Sequence, residues 1–234
     1  MSVLYNQENF LVEKYAITLN PGLQLLDPKP WRPKKLNALL VGIWISHKSF
    51  SKLPNIQVEL EQISSLLPSQ SLYNKQFTLS NLQNSLSSSS FSIVHLATHT
   101  GFKSNDEDAN IVAWDEEYID ANELSELLRP GNQGGSKPIE LLVLSACETA
   151  AAGEQYVGLG MAGAAVRSGV RSVVAPKWRI NDAATVRLMT KFYKELKKPN
   201  VTKAEALRRA QIERIRAREA PVDWTPFVLV GNWL

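Results

Sequence analysis

"IELLVLSACETAAAGEQ", residues 139–155, decides both how this chain folds and where its chemistry lies. The apolar run 139–144 reads as a strand covered on both faces, because a strand with one wet face would alternate with polar residues. It carries Cys147, the only cysteine in the chain, to the strand's carboxyl end. The question is whether this thiol is a small core residue or a nucleophile.

Further runs rich in Val, Ile and Leu at 38–43, 92–98 and 171–175 predict more buried strands. Between them apolar residues recur at helical spacing. Ile56, Leu60, Ile63 and Leu67 form one stripe and Val186, Met189, Tyr193 and Leu196 another. Both read as core faces. Strand and helix in alternation predict a three-layer α/β sandwich with a mainly parallel sheet of about six strands. "RPGNQGGSKP" (129–138) is a loop inside the domain, since its glycines and prolines continue neither element. The serine-rich "SLSSSSFS" (85–92) reads as a turn before the His-bearing strand.

At 234 residues with 44% hydrophobic content, the chain can form one domain over 1–234, with 1–34 packing on its core or entering it. A lone cysteine forbids an intrachain disulfide. No early stretch resembles a signal peptide or reaches the ~18 apolar residues of a spanning helix, so the reducing cytoplasm is expected and no membrane partner. The net charge of +3 is concentrated in "KAEALRRAQIERIRARE" (203–219). There Lys203, Arg208, Arg209, Arg214, Arg216 and Arg218 alternate with glutamates, which predicts a solvated helix face and no nucleic-acid partner.

In open α/β sheets, sites form beyond the carboxyl ends of the strands. Cys147 lies three residues past Leu144, and His99 ends "SIVHLATHTGF" (92–102). If these strands are neighbours, a thiol and an imidazole meet at one edge. The thiolate is the reactive species, and an imidazole can take the thiol's proton and return it to a leaving amine. Gly101 lets a backbone amide approach a developing oxyanion. Free cysteine is commonly buried, but Cys147 comes after the apolar run and precedes small and polar residues that read as loop. His95, inside its strand, reads as a core histidine, and His47 as a loop residue without a visible partner. "GLGMAG" (158–163) fits a dinucleotide fingerprint, but it does not directly follow a strand and no acid stands where a ribose needs one. Asp182 reads as a helix N-cap, while Gly160, Gly163 and Ala164 read as small residues for helix-on-sheet packing. No cofactor and no metal are expected.

"VHLATHTGF", "LLVLSACETA", "GLGMAGAAVRSGVRSVVAPKWRINDAAT", "FYKEL" and "WTPFVLVGNW", in this order, resemble the CHAT domain, a bacterial branch of the caspase-like cysteine peptidases often joined to tetratricopeptide repeats. The resemblance runs from about "EKYAITLNPGLQLLDPKP" (13–30) to the C terminus. It implies a caspase-type sandwich and a cysteine endopeptidase acting on protein or peptide through a dyad of His99 and Cys147, with backbone amides of Gly101 and Cys147 as oxyanion donors. It also implies that Trp178 and Arg179, in "KWRIND", line the substrate groove. The family's histidine is usually followed directly by glycine, whereas Thr100 stands between His99 and Gly101 here. Related peptidases that prefer basic residues carry an acid two positions before the cysteine. Ser145 occupies that substrate-binding position, which implies no strong selection for Arg or Lys. A catalytically silent CHAT-like interaction module is the alternative. The small, polar "ETAAAGEQY" (148–156) suits a loop reordered by a regulatory partner or an attached repeat domain.

Overall fold

The computed structural model describes residues 2–20, 22, 30, 36–46, 50–101, 110–114, 117–129, 138–146, 157–178 and 182–234. The described chain begins with α1 (Leu11–Lys14) and β1 (Thr18–Leu19). Next come β2 (Ala38–Gly42), α2 (Pro54–Leu66), β3 (Ser69–Tyr73), α3 (Leu79–Ser88) and β4 (Ile93–Ala97). Three short strands are then formed, β5 (Thr100–Gly101), β6 (Asn110–Val112) and β7 (Tyr118–Ile119), before α4 (Ala121–Leu128). The last part holds β8 (Leu141–Ala146), α5 (Val157–Arg167), β9 (Ser172–Pro176), α6 (Asp182–Leu196), α7 (Lys203–Arg216), α8 (Pro221–Trp224) and β10 (Phe227–Gly231).

Seven strands form the main sheet in the order β1-β10-β9-β8-β4-β2-β3. All neighbouring pairs are parallel except β10 with β9. The four predicted strands β2, β4, β8 and β9 are its centre. Alternation sends their side chains to two separate cores. Val94, Leu96, Leu142 and Leu144 face a core shared with residues of α3, α4 and α5. Ile93, Ala97, Leu141 and Val143 face one shared with α2, α6 and α7. This is the expected three-layer sandwich, with β3 and the two-residue β1 at its rims.

Local sequence explains where the helices start. Pro54 opens α2 at a position whose N–H has no intrahelical partner. Asp120 caps α4 in a reciprocal box with Glu123, and Thr202 caps α7. Gly42, at the end of β2, meets a different demand. A Cβ there would lie 2.6 Å from Leu60 Cδ1 and 2.7 Å from the Ala97 carbonyl, so only glycine lets α2 and β4 approach this closely.

Four sequence expectations need correction. β8 runs through Ser145 and Ala146, so Cys147 comes directly after its last residue. The serine run is not all turn: α3 extends to Ser88, where Ser87 and Ser88 hydroxyls bond back to carbonyls three or four residues earlier. Gly160 is not required for packing, because a Cβ there would meet nothing within 4 Å. Lys203 does not lie on the solvated face of α7. It is fully buried, its Nζ 3.9 Å from Glu140 Oε2, and desolvation lowers its pKa to about 8. Much of the remaining basic run is internally neutralised. Arg209 pairs with Glu205 and Glu195, and Arg214 with Glu213 and Glu219. Desolvation raises the Glu195 carboxyl, yet Lys198, Lys191 and Arg209 together outweigh it and hold its pKa at about 2. Glu195 thus ties α6 to α7.

Candidate active site

β4 and β8 are hydrogen-bonded neighbours running in parallel, so the two strands that lead to His99 and Cys147 end at the same edge. Leu96 pairs with Leu144 and Ala97 with Ala146, which leaves Ser145 as an extra residue on β8. Such a bulge turns the strand and re-aims the residues beyond it. Cys147 itself, Arg179 and His47 lie outside the described residues, as does the segment 148–156.

His99 is buried just beyond β4. β6 holds the chain at and just before it: Thr98 Oγ1 donates to the Val112 carbonyl at 2.9 Å, and Val112 N donates to the His99 carbonyl at 3.0 Å. Its ring is tilted against Phe50, with centroids 5.0 Å apart, and Nε2 lies 2.9 Å from the Ser51 carbonyl oxygen. A carbonyl can only accept, so Nε2 carries the hydrogen and Nδ1 is the basic nitrogen of the neutral ring.

Leu53, two residues after Ser51, is tied to the end of β2, its N donating to the Trp44 carbonyl at 3.0 Å. Asn74, at φ 50° just past β3, accepts from Trp44 N at 3.0 Å. Sequence reading missed this role because the acting group is a backbone carbonyl, and every residue has one.

Thr100 does not disrupt the chain after His99. Thr100 and Gly101 form β5, paired with Ile111 and Asn110. The Thr100 side chain is buried, and its hydroxyl has no hydrogen-bond partner among the described residues. At the next strand end, Lys177 Nζ lies 4.5 Å from the centre of the half-buried Trp178 ring, and burial lowers the lysine's pKa.

Beneath this edge lies a buried polar chain. Ser145, 1% exposed, donates a hydrogen bond to Glu59 Oε1. His95 Nε2 lies 3.1 Å from the same oxygen, off the line of a straight hydrogen bond, and His95 Nδ1 is 3.0 Å from the Tyr193 hydroxyl. His95 is thus the buried, partnered histidine expected. Serine, histidine and carboxylate together suggest a second nucleophile, but the connectivity excludes it. The carboxylate stands between serine and imidazole, so the imidazole does not reach the hydroxyl as it does in a Ser-His-Asp triad. Glu59 had a legible signal, as a carboxylate on the buried stripe of α2 between Ile56 and Ile63.

Among the described residues no group of three or more His, Cys, Asp or Glu is placed to hold a metal, and no helix is long and apolar enough to cross a membrane.

Comparison with known proteins agrees with this geometry. The family model of the CHAT domain matches residues 1–232. The chain belongs to the CHAT domain family. Solved structures similar to this CHAT chain include the Arg-specific cysteine proteinase gingipain R, at TM-score 0.56 and 14% identity over 84% of this chain and 46% of that one. A complex of the pro- and mature domains of Porphyromonas gingivalis RgpB aligns at TM-score 0.55 and 13% identity, over 84% and 47%. The Drosophila initiator caspase Dronc aligns at TM-score 0.50 and 10% identity, over 84% and 79%. The CHAT chain therefore has the fold of the caspase-like cysteine proteinases, and it spans less than half the length of the gingipain chain. A search of curated proteins gave no match.

Proposed function

We propose that this CHAT domain is a cysteine endopeptidase using Cys147 and His99. The observation that carries the reading is the buried His99 imidazole, its tautomer set by the Ser51 carbonyl, one strand away from the β8 end that leads to Cys147. Nδ1 takes the thiol proton and the thiolate attacks the peptide carbonyl carbon. Backbone amides of Gly101 and Cys147 hold the oxyanion. The imidazolium returns the proton to the leaving amine as the C–N bond breaks, giving a thioester and a free amine. Water, deprotonated by the same nitrogen, then hydrolyses the thioester. Trp178 and Arg179 line the groove, and Ser145 acts from beneath it.

The test exploits the lone cysteine, since any thiol label reports Cys147 alone. Alkylation by iodoacetamide is expected to titrate below the ~8.5 of an ordinary thiol, and to return there in His99→Asn. Labelling near 8.5 in both proteins overturns the dyad. Failure to cleave any substrate despite an activated thiol favours the interaction-module reading.

Control is assigned to the segment 148–156, reordered by a partner protein or an attached tetratricopeptide-repeat domain. Such a partner must bind the competent state better than the closed one, by ~2.7 kcal/mol for a hundredfold shift. An irreversible peptidyl chloromethyl ketone is expected to label the isolated chain slowly and the partnered chain about a hundredfold faster. Equal, complete labelling of both defeats gating and leaves the peptidase assignment intact.

A further inference from the structure

The buried chain Tyr193–His95–Glu59–Ser145 links α6, β4, α2 and β8, and the dyad chemistry makes no use of it. Its hydrogen directions are set by its chemistry. Burial first, then the Glu59 charge, push the Tyr193 phenol well above its ordinary pKa, so it stays protonated; with His95 Nε2 facing a carboxylate that only accepts, the neutral ring accepts the phenol's hydrogen at Nδ1. A ring that accepts at Nδ1 carries its hydrogen on Nε2, facing Glu59. Glu59 Oε1 thereby gathers the Ser145 hydroxyl and the His95 imidazole in a site sealed from water.

Ser145 is also the extra residue of the β8 bulge, two positions before Cys147. This end of β8 is held by β4 through Ala97 and Ala146, while its pairing with β9 covers Leu142 and Val143 among the described residues. A bulge is a point where a strand can bend in more than one direction, so a clamp on the bulged side chain selects one. We infer that Ser145 is a positioning residue, whose hydroxyl, held by Glu59, fixes the direction in which β8 delivers Cys147 toward His99. The inference rests on the Cys147–His99 reading and adds to it the device that aims the thiol.

The experiment measures alkylation of Cys147 by iodoacetamide from pH 5.5 to 9.5 in wild type, Ser145→Ala, Ser145→Val and Ser145→Thr, with circular dichroism and thermal unfolding of each. Valine and threonine share a shape and differ in the hydroxyl. Wild type and Ser145→Thr are expected to titrate alike. In Ser145→Ala and Ser145→Val the midpoint is expected to rise by about one unit, with the rate at pH 6.5 falling about tenfold. None of these substitutions adds or removes a charged side chain, so such a rise reports lost geometry. A merely structural hydroxyl would lower the unfolding temperature and leave the midpoint unchanged. Should Ser145→Ala fail to fold, the Val/Thr pair decides alone. A folded, hydroxyl-free variant with the wild-type midpoint overturns the positioning role and spares the dyad. A wild-type midpoint at ~8.5, unaltered in His99→Asn, overturns both.

Discussion

Cys147→Ala is expected to lower kcat/KM for peptide cleavage by about ten-thousandfold or more, because no other thiol in the chain can form the thioester. That corresponds to ~5.4 kcal/mol of transition-state stabilisation. His99→Asn is expected to cost nearly as much, and the double variant little more than either single one, since residues acting as a unit lose their effect together. Asparagine is preferable to alanine at 99. The imidazole is buried and packed on Phe50, so truncation would open a cavity and mix stability with chemistry. Cleavage assays on unfolding-checked protein decide the matter. Full activity in Cys147→Ala rules the mechanism out, and strictly multiplicative losses would show that the two side chains do not share one step.

The sequence exposed those parts of the fold that rest on side-chain pattern. β2, β4, β8 and β9 are buried on both faces, so each appears as a mainly apolar run, with His95 inside β4 and Ser145 near the end of β8 as exceptions. β3 reads "SQSLY" and is exposed at its first three residues, because a rim strand needs little apolar cover, and no pattern announced it. "WTPFVLVGNW" contains an evident apolar run, but strand direction is not written in hydrophobicity, and the antiparallel placement of β10 emerged only from the pairing. The site divides similarly. His99 stood out as an imidazole at a strand end. Ser51 did not, because its contribution is backbone. The Ser145 bulge was illegible as well, since it is a mismatch of register between β4 and β8 that neither strand records alone.

Glu59→Ala is expected to be among the most destabilising single substitutions in the chain. It removes the one carboxylate that faces both Ser145 Oγ and His95 Nε2, in a region where His95 is 0% and Ser145 1% exposed. The Ser145 hydroxyl would then lose its partner, and His95 Nε2 would lose the opposite charge beside it. Leaving a buried polar group unsatisfied costs ~1–3 kcal/mol, and the cavity left by the truncated side chain adds to it, for a total of ~3 kcal/mol. For a chain of this length that lowers Tm by roughly 10 °C, at ~2–4 °C per kcal/mol. The asymmetry of buried polar groups makes a sharper statement possible. Replacing Glu59 and the two groups it faces by apolar ones of similar volume, as in Glu59→Leu with His95→Phe and Ser145→Ala, is expected to recover much of the loss, because only the Tyr193 hydroxyl is left without its partner. The same triple variant is expected to keep the thiol slow, since a restored core does not restore the clamp on the bulge. Denaturant unfolding and alkylation rates, measured on wild type, Glu59→Ala and the triple variant, separate stability from aim. A Glu59→Ala loss below ~1 kcal/mol would mean that the pair is solvated and not sealed. A triple variant less stable than Glu59→Ala would mean that the network contributes net stability beyond satisfying its own members.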